Sequence, residues 1–506
     1  DANGRANWEG RGDKGKSKPT RIAHLTISGG RLTLRDDKRH MTLNVALSAD
    51  PARGVVIRGP GTHRGLPMRF SAWSGALDNT DPDAPYPFRL SLASPLLTLD
   101  ASGRMDHAFD VNGLDAVMTA HGTDIAYLDD VIEAGLPATQ DFALKAAVRR
   151  DRPDWNVKSI AGTIGRSDLT GAVLVKKREG RTILDGWLNA GRFDFDSLSS
   201  DAGLARGAAK RRAMGARVFP DTQIHFEKLG RLDGTLRISV SELLMDHTSL
   251  FKGFRGTLTM DHRLLTLSPV AIQLSRGVLS GSIRVDHRAG DPKLTLDLRE
   301  RGTRLGDLMG NSDDIDGPVE ARIVLNGAGR DVRTAIGRST GRVALVMRGG
   351  SMRKKLAVFA SGDLLDSIGQ LIGGTSSARV DVNCLITRFS AQGGRMTPAP
   401  LLLDTPVGRA DGTGAISLSD ETIALALTGR SKHPDLIQLA AKLHVGGTLS
   451  APAVTLTNAQ GEAPRKHGLF GKIGSFLGSL RTRGDQGRGL PVPPANCAAL
   501  SAEALR

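Results

Sequence analysis

Apolar and polar residues alternate along most of this chain with a period of two. Leu236, Ile238 and Val240, for example, alternate with Arg237 and Ser239. A strand that alternates in this way places one face on an apolar environment and the other in water. The same alternation returns in the runs Leu32–Leu34, Leu43–Leu47, Leu294–Leu298, Val319–Leu325, Val343–Met347, Val380–Ile386 and Ile423–Leu427.

Turn signals separate these runs. They include Ser28-Gly29-Gly30, Asn326-Gly327, Gly349-Gly350 and Gly393-Gly394. Strands joined directly by tight turns are typical of antiparallel meanders. The pattern predicts about two dozen strands, against roughly two to ten in an ordinary sheet. The fold class is therefore mainly β, built either as several sandwiches or as one long, twisted, predominantly antiparallel sheet.

Helical patterns are few. Ile125–Ala134 is short, Ser200–Ala213 is a basic connector, and Lys355–Ile372 has apolar residues at helical spacing. The clearest amphipathic stretch is Leu469–Leu480, which basic residues flank. Such a helix can lie on a membrane surface or pack on the sheet, and both interpretations stay open. Its candidate membrane-surface residues are Leu469, Phe470, Ile473, Phe476, Leu477 and Leu480.

Composition narrows the classes of partner. The 506 residues include 61 glycines, only 4% are aromatic, and the net charge is +15. The basic residues are dispersed and form no stripe with stacking aromatics, so we expect no nucleic-acid partner. No run of 18 apolar residues is present. Because the chain starts at Asp1 within polar sequence, we expect a fragment or processed product that lacks an N-terminal anchor.

Two motifs resemble ligand sites without the context that such sites need. Gly10–Ser17 matches a phosphate-binding loop, but no strand precedes it and Pro19 stands where a helix should run. Ser312–Gly317 resembles the start of a calcium loop, but its twelfth position is Ile323 instead of Glu. With no zinc-like His/Cys cluster and no nucleophile elbow, we predict no metal, no cofactor, no catalytic residues and no enzymatic activity.

The two cysteines are Cys384 and Cys497. By parity Cys384 lies on the apolar face of its strand, whereas Cys497 follows a proline-rich tail. A disulfide would close a long loop and would indicate an oxidising compartment. Two unpaired thiols are equally compatible with the residues alone.

Ten short segments, mostly turns and the strands beside them, occur in an order that resembles the AsmA family over most of the chain. The most specific lie in the second half. The segments are Asn3–Trp8 (NGRANW), Ile22–Asp36 (IAHLTISGGRLTLRD), Gly162–Gly171 (GTIGRSDLTG), Val218–Asp221 (VFPD), Gly277–Asp286 (GVLSGSIRVD), Cys384–Gly394, Leu401–Thr405 (LLLDT), Gly412–Leu418 (GTGAISL), Gly447–Val454 (GTLSAPAV) and Cys497–Leu500 (CAAL).

The resemblance implies a protein of the Gram-negative periplasm, anchored to the inner membrane by a helix that this chain lacks. It implies a sheet curved into a groove with an apolar floor, which binds and conducts phospholipid between inner and outer membrane and so supports outer-membrane homeostasis. It also favours a disulfide between Cys384 and Cys497. The alternative is a non-enzymatic scaffold that binds an envelope protein and assists outer-membrane protein or lipopolysaccharide assembly.

The expected organisation follows the strand pattern and this resemblance. A flexible segment (1–20) precedes an N-terminal part of the groove (21–200), a basic connector (201–217), a C-terminal part of the groove (218–460), and an amphipathic helix with a cysteine-containing tail (461–506). Parity selects groove-lining candidates, although a register slip of one residue would turn a strand over. The candidates are Leu236, Ile238, Val240, Leu294, Leu296, Val343 and Leu345.

Overall fold

The computed structural model confirms a mainly β protein built on one long, open, predominantly antiparallel sheet of 24 strands, beside a second sheet of three short strands. The curvature of the long sheet into a groove stays a prediction. The structure describes residues 24–76, 84–108, 110–132, 136, 138–198, 200–214, 217–222, 224, 232–244, 251–309, 313–353, 379–432, 442–457 and 492–506. The predicted segments 1–20, Lys355–Ile372 and Leu469–Leu480 lie outside these ranges.

The chain divides into two units. The first comprises Asp1–Lys210, Lys228–Thr248 and Gly253–His262, and the second comprises Arg211–Glu227, Ser249–Lys252 and Arg263–Arg506.

Strands of the first unit pair with their neighbours in chain order. Every pair is antiparallel except β11 with β12, which is parallel and therefore needs a crossover. The predicted short helix is present as α1, and the predicted connector forms α2 in that crossover. The elements are β1 (Ile27–Asp36), β2 (Met41–Asp50), β3 (Gly54–His63), β4 (Leu66–Ser74), β5 (Tyr86–Ala93), β6 (Leu97–Met105), β7 (Gly113–Gly122), α1 (Ala126–Ile132), β8 (Phe142–Asp151), β9 (Asp154–Ile164), β10 (Ser167–Arg178), β11 (Arg181–Asp194), a 3-10 helix (Phe195–Leu198), α2 (Asp201–Met214), β12 (Leu232–Leu244) and β13 (Phe251–Asp261).

Strands of the second unit form an antiparallel meander, from which β17, β20 and β21 separate as the small sheet. The elements are β14 (Leu264–Leu274), β15 (Val278–Asp286), β16 (Lys293–Arg304), α3 (Leu305–Leu308), β17 (Ile315–Asp316), β18 (Pro318–Ala328), α4 (Val332–Gly337), β19 (Thr340–Arg348), β20 (Ser351–Arg353), β21 (Arg379–Asp381), β22 (Cys384–Gln392), β23 (Arg395–Asp404), β24 (Gly408–Ser417), β25 (Thr422–Ser431), β26 (Lys442–Thr448), β27 (Ala451–Thr457) and α5 (Cys497–Ala504).

Short helices cover parts of the apolar face in each unit. In the first unit, Leu128 of α1 packs with Ile125 against a cluster that includes Leu97, Leu99 and Phe142. In the second unit, α4 packs its buried residues against the cluster of β18, β22 and β24. Helix α4 begins after Asp331, whose carboxylate accepts a hydrogen bond from the backbone N–H of Thr334 at 2.8 Å. No described helix combines the length and apolar character needed to cross a bilayer.

Candidate functional site

A row of aliphatic side chains crosses five strands of the second unit. Leu296 lies opposite Ile283 on one side and Leu325 on the other. Two residues along β18 from Leu325, Ile323 lies opposite Val343, which in turn lies opposite Phe389. Since cross-strand neighbours share a face, the row is continuous. We call it the aliphatic lane; its members are the aliphatic residues Ile283, Leu296, Ile323, Leu325 and Val343 and, at its end, the aromatic Phe389.

The lane is only partly covered. Leu325 and Phe389 are buried, whereas Leu296, Ile323 and Val343 are half-buried, as is Ile283. Among the groove candidates of this unit, Leu294 is buried beside the lane, and Leu345 lies on the same face. The structure therefore places the four predicted residues of β16 and β19 on one face, while their contact with lipid stays a prediction.

Covering elements lie at both ends of this face. Near one end, Ala335 and Ile336 of α4 pack with Ile224 and Phe219. Near the other end, Leu345 packs against a cluster of α3, the small sheet and neighbouring strands. Neither cover could be predicted from local patterns, because both are formed by residues distant along the chain.

A buried ionic network holds the segment before Ile224 in place. Glu421 is fully buried, and its carboxylate accepts hydrogen bonds from the backbone N–H groups of Val218 at 2.6 Å and Phe219 at 3.3 Å. Arg333 donates to Glu421 Oε1 at 2.8 Å and to Asp221 Oδ1 at 2.7 Å. We call residues 217–222 the strap. A buried carboxylate with several donors is satisfied, so the network fixes the strap over the apolar cluster.

The three candidates of the first unit also share a face. On β12, Leu236 and Val240 are buried and Ile238 is half-buried. Ile238 lies opposite Leu188 of β11 and Gly256 of β13. A glycine beside Ile238 leaves its flank without a side chain, which agrees with its partial exposure.

A second ionic cluster fastens α1 to the first unit. Asp130 accepts hydrogen bonds from Arg64 Nε at 2.6 Å and Nη2 at 2.7 Å, and its carboxylate lies 2.9 Å from His63 Nε2. Burial raises the pKa of Asp130, but the hydrogen bonds from Arg64 and His63 outweigh it and leave the pKa below its usual range. Asp130 therefore stays ionised and holds α1 on the apolar face.

The same histidine gives this cluster an apparent Ser-His-Asp arrangement. Ser94 Oγ lies 3.5 Å from His63 Nδ1, opposite to the Asp130 side of the ring. However, His63 is fully buried, and Ser94 Oγ also accepts hydrogen bonds from the backbone of the following turn, Leu97 N–H among them. The geometry therefore explains how the turn and helix are positioned and gives a substrate no access to the imidazole.

Within the described ranges, one group of side chains has metal-ligand proximity. Ligand atoms of Asp233, Asp261 and His262 lie within 4.8 Å of one another. Arg181 donates to both carboxylate oxygens of Asp233, and hydrogen bonds from that guanidinium lower the pKa of Asp233 against the opposing effect of burial. Arg181 already occupies both oxygens of Asp233, so we assign this group no metal.

A disulfide joins Cys384 to Cys497, with Cα atoms 5.9 Å apart. It fastens α5 to the face opposite the aliphatic lane, where Ala504 packs with Val346 and Ile386. The candidate membrane-surface residues from Leu469 to Leu480 lie outside the described residues.

The fold and faces define a class: large proteins built on one long, open, predominantly antiparallel sheet whose strands carry a partly exposed apolar face. The chain is 21% identical over 421 residues to the AsmA family protein YhjG of Escherichia coli (strain K12), a match that covers 78% of this chain and 61% of that protein. The resemblance that the motifs predict is confirmed, and the chain is AsmA-like. It spans about three fifths of this relative. No family model and no solved structure matches the chain.

Proposed function

We propose that this chain binds phospholipid acyl chains along its apolar face and conducts them between the inner and outer membranes. The protein then acts in the periplasm of a Gram-negative bacterium, on the inner-membrane side of the envelope, without catalysing a reaction.

The observation that carries the proposal is the partial exposure of the aliphatic lane. Leu296, Ile323 and Val343 lie on one continuous face, and each keeps part of its side chain accessible. A continuous open apolar strip of this kind needs a cover in water. An acyl chain provides one, and each CH₂ group removed from water contributes about 0.8 kcal/mol.

Backbone geometry supports a curved floor under such a ligand. Gly281 and Gly341 lie opposite Leu298 and Leu325, on the face of the lane. Their φ angles are +148° and +142°, and a Cβ on either would stand 2.0 Å from a carbonyl oxygen of the neighbouring strand. Only glycine tolerates this close approach, and glycines within strands are typical of positions where a sheet bends sharply.

Likeness to an AsmA family protein supports the cellular setting. That relative supplies the family name alone, so phospholipid and the route between membranes are our proposal. The disulfide adds an independent argument, because such bonds persist in oxidising compartments such as the bacterial periplasm.

The test is native mass spectrometry of the purified chain, followed by extraction and identification of bound lipid. We expect co-purifying phospholipid that decreases in Leu296→Asp and in Ile238→Asp, because a carboxylate on the apolar face of a strand costs several kcal/mol to cover with hydrocarbon. The matched controls are Thr295→Asp and Ser239→Asp, which put the same charge on the adjacent residue and the opposite face.

Retention of lipid in the controls and its loss in Leu296→Asp and Ile238→Asp would support the proposal. A lipid-free chain with one cooperative unfolding transition would refute it and would favour the scaffold alternative.

A further inference from the structure

The opposite, polar face of the first unit contains an open depression of about 580 Å³. Each of the strands from β3 to β8 contributes one polar residue to a row that crosses the depression. Each residue of this polar row lies directly opposite the next one on the neighbouring strand. The row is Arg58, Ser71, Ser91, Asp100, Thr119 and Lys145. This volume lies within the range of about 300–1,000 Å³ typical of small-ligand sites.

An aromatic ring lies beside the row. Trp73 lies opposite Arg89 across β4 and β5, and the guanidinium carbon of Arg89 stands 5.5 Å from the centre of the indole ring. The indole Nε1–H donates to the backbone carbonyl of Arg53 at 3.2 Å. The tryptophan is therefore fixed, half-buried, with an arginine held over it.

The depression carries an excess of positive charge. Its lining includes Arg58, Arg89 and Lys145, against the single carboxylate of Asp100. In the part of the chain that the structure describes, none of these three cations forms an ion pair, whereas Arg149 and Arg178 elsewhere in this unit pair with aspartates. Unneutralised cations in a concave surface concentrate anions there.

The other polar side chains of the depression favour a ligand that carries further polar groups besides an anionic one. Hydroxyls of Ser71, Ser91 and Thr119 can donate and accept, and the carboxylate of Asp100 only accepts. A carboxylate in the middle of the row repels a bare phosphate but suits the hydroxyls of a sugar. An apolar indole beside polar groups matches the two-sided surface of a sugar ring.

We propose that this depression binds an acidic saccharide, a sugar that carries a phosphate or a carboxylate. The anionic group lies between Arg58 and the neighbouring Ser71 or at Lys145, and the sugar hydroxyls donate to Asp100. This site is on the face opposite the apolar one and is independent of lipid binding.

The test is isothermal titration calorimetry of the full chain at low ionic strength with glucose 1-phosphate, glucose and inorganic phosphate. We expect glucose 1-phosphate to bind most tightly. The double variant Arg58→Gln/Lys145→Gln should weaken it at least about tenfold, because the anionic group loses its charged hydrogen-bond donors. Asp100→Ala should weaken glucose 1-phosphate and strengthen inorganic phosphate.

Arg104→Gln is the matched control, since Arg104 is exposed on the same strand and face as Asp100 but does not line the depression. Equal losses in Arg104→Gln and in the double variant would overturn the proposal, as would equal affinities for inorganic phosphate and glucose 1-phosphate. Circular dichroism checks that each variant folds.

Two sources of such a ligand are distinguished by co-sedimentation with phosphatidylcholine vesicles that contain phosphatidylinositol 4-phosphate, a phosphorylated polyol on a lipid. Sedimentation that depends on Arg58 and Lys145 assigns the site to a lipid headgroup. Binding of glucose 1-phosphate without sedimentation assigns it to a soluble saccharide.

Discussion

Removing the cross-link between Cys384 and Cys497 should destabilise the second unit. The variant Cys497→Ala is the cleanest perturbation, because it truncates the half-buried partner and leaves the fully buried Cys384 in place. The native packing of β22 is then almost unchanged, and the effect falls mainly on the unfolded chain.

The size of the effect follows from the length of the closed loop. The two cysteines are 113 residues apart, and the chain-entropy relation gives about 4.8 kcal/mol for a loop of this length at 25 °C. This is an upper limit. Helix α5 has only eight residues and does not persist alone, so release of α5 in the variant lets the native state regain some of this entropy.

Urea unfolding followed by circular dichroism measures the loss. We expect the oxidised protein to unfold at a higher urea concentration than Cys497→Ala, and dithiothreitol to remove most of that difference. Backbone amides of α5 should exchange faster in the variant. Equal midpoints for the oxidised protein and the variant, with the bond verified by mass, would refute the reasoning.

Three further predictions concern single residues. Gly281→Ala should lower the free energy of unfolding by at least about 1 kcal/mol in urea titrations, because alanine is strained at φ +148° and its Cβ would lie 2.0 Å from a carbonyl oxygen. The control Gly290→Ala, at φ +63°, has backbone strain but open space around it, so the difference between the two variants measures the effect of the contact. Glu421→Gln should cost about 1–3 kcal/mol, because Arg333 keeps its ion pair with Asp221 but loses the charge of its buried second partner, and limited proteolysis should then cleave the strap; an uncleaved strap would contradict the assigned network. Because the pKa of Asp130 is lowered in the folded state, its contribution to the free energy of unfolding is present above about pH 4 and is lost as the pH falls through the folded pKa. The free energy of unfolding of Asp130→Asn, measured against pH, should lack this acid-dependent part. The same acid profile in the variant and the unmodified protein would contradict the prediction.

The alternation of apolar and polar residues predicts the apolar face of some strands but not of others. On β12 the alternation Leu236, Ile238 and Val240 against Arg237 and Ser239 assigns one apolar face, and the structure agrees. On β19 both Val343 and Leu345 on one face and Ala344 and Val346 on the other are apolar. The alternation expected for Val343–Met347 is therefore wrong as a guide to the face, because the second face is also apolar and is covered by α5.

The candidate site was predictable only in part. Four candidates on β16 and β19 share a face, but only Leu296 and Val343 belong to the lane, and its other members, Ile283, Ile323, Leu325 and Phe389, are not among the candidates. The predicted alternation of Val319–Leu325 already contains Ile323 and Leu325, so parity could have found them. It could not have found Phe389, because the predicted run Val380–Ile386 assigns the apolar face to Cys384 and Ile386, on the opposite side of β22. Nothing in the local sequence marks Glu421 as fully buried, because its partners Val218 and Arg333 lie far away along the chain.

The sequence by itself determined the class of fold, the alternation that gives each strand an apolar and a polar face, and the AsmA-like order of its turns. These features are local, since side-chain period and turn chemistry depend on near neighbours. The tertiary structure alone decided which residues lie opposite one another, and hence the lane, the strap network and the polar depression. Each depends on strand register and on covers contributed by distant segments, which no local pattern encodes.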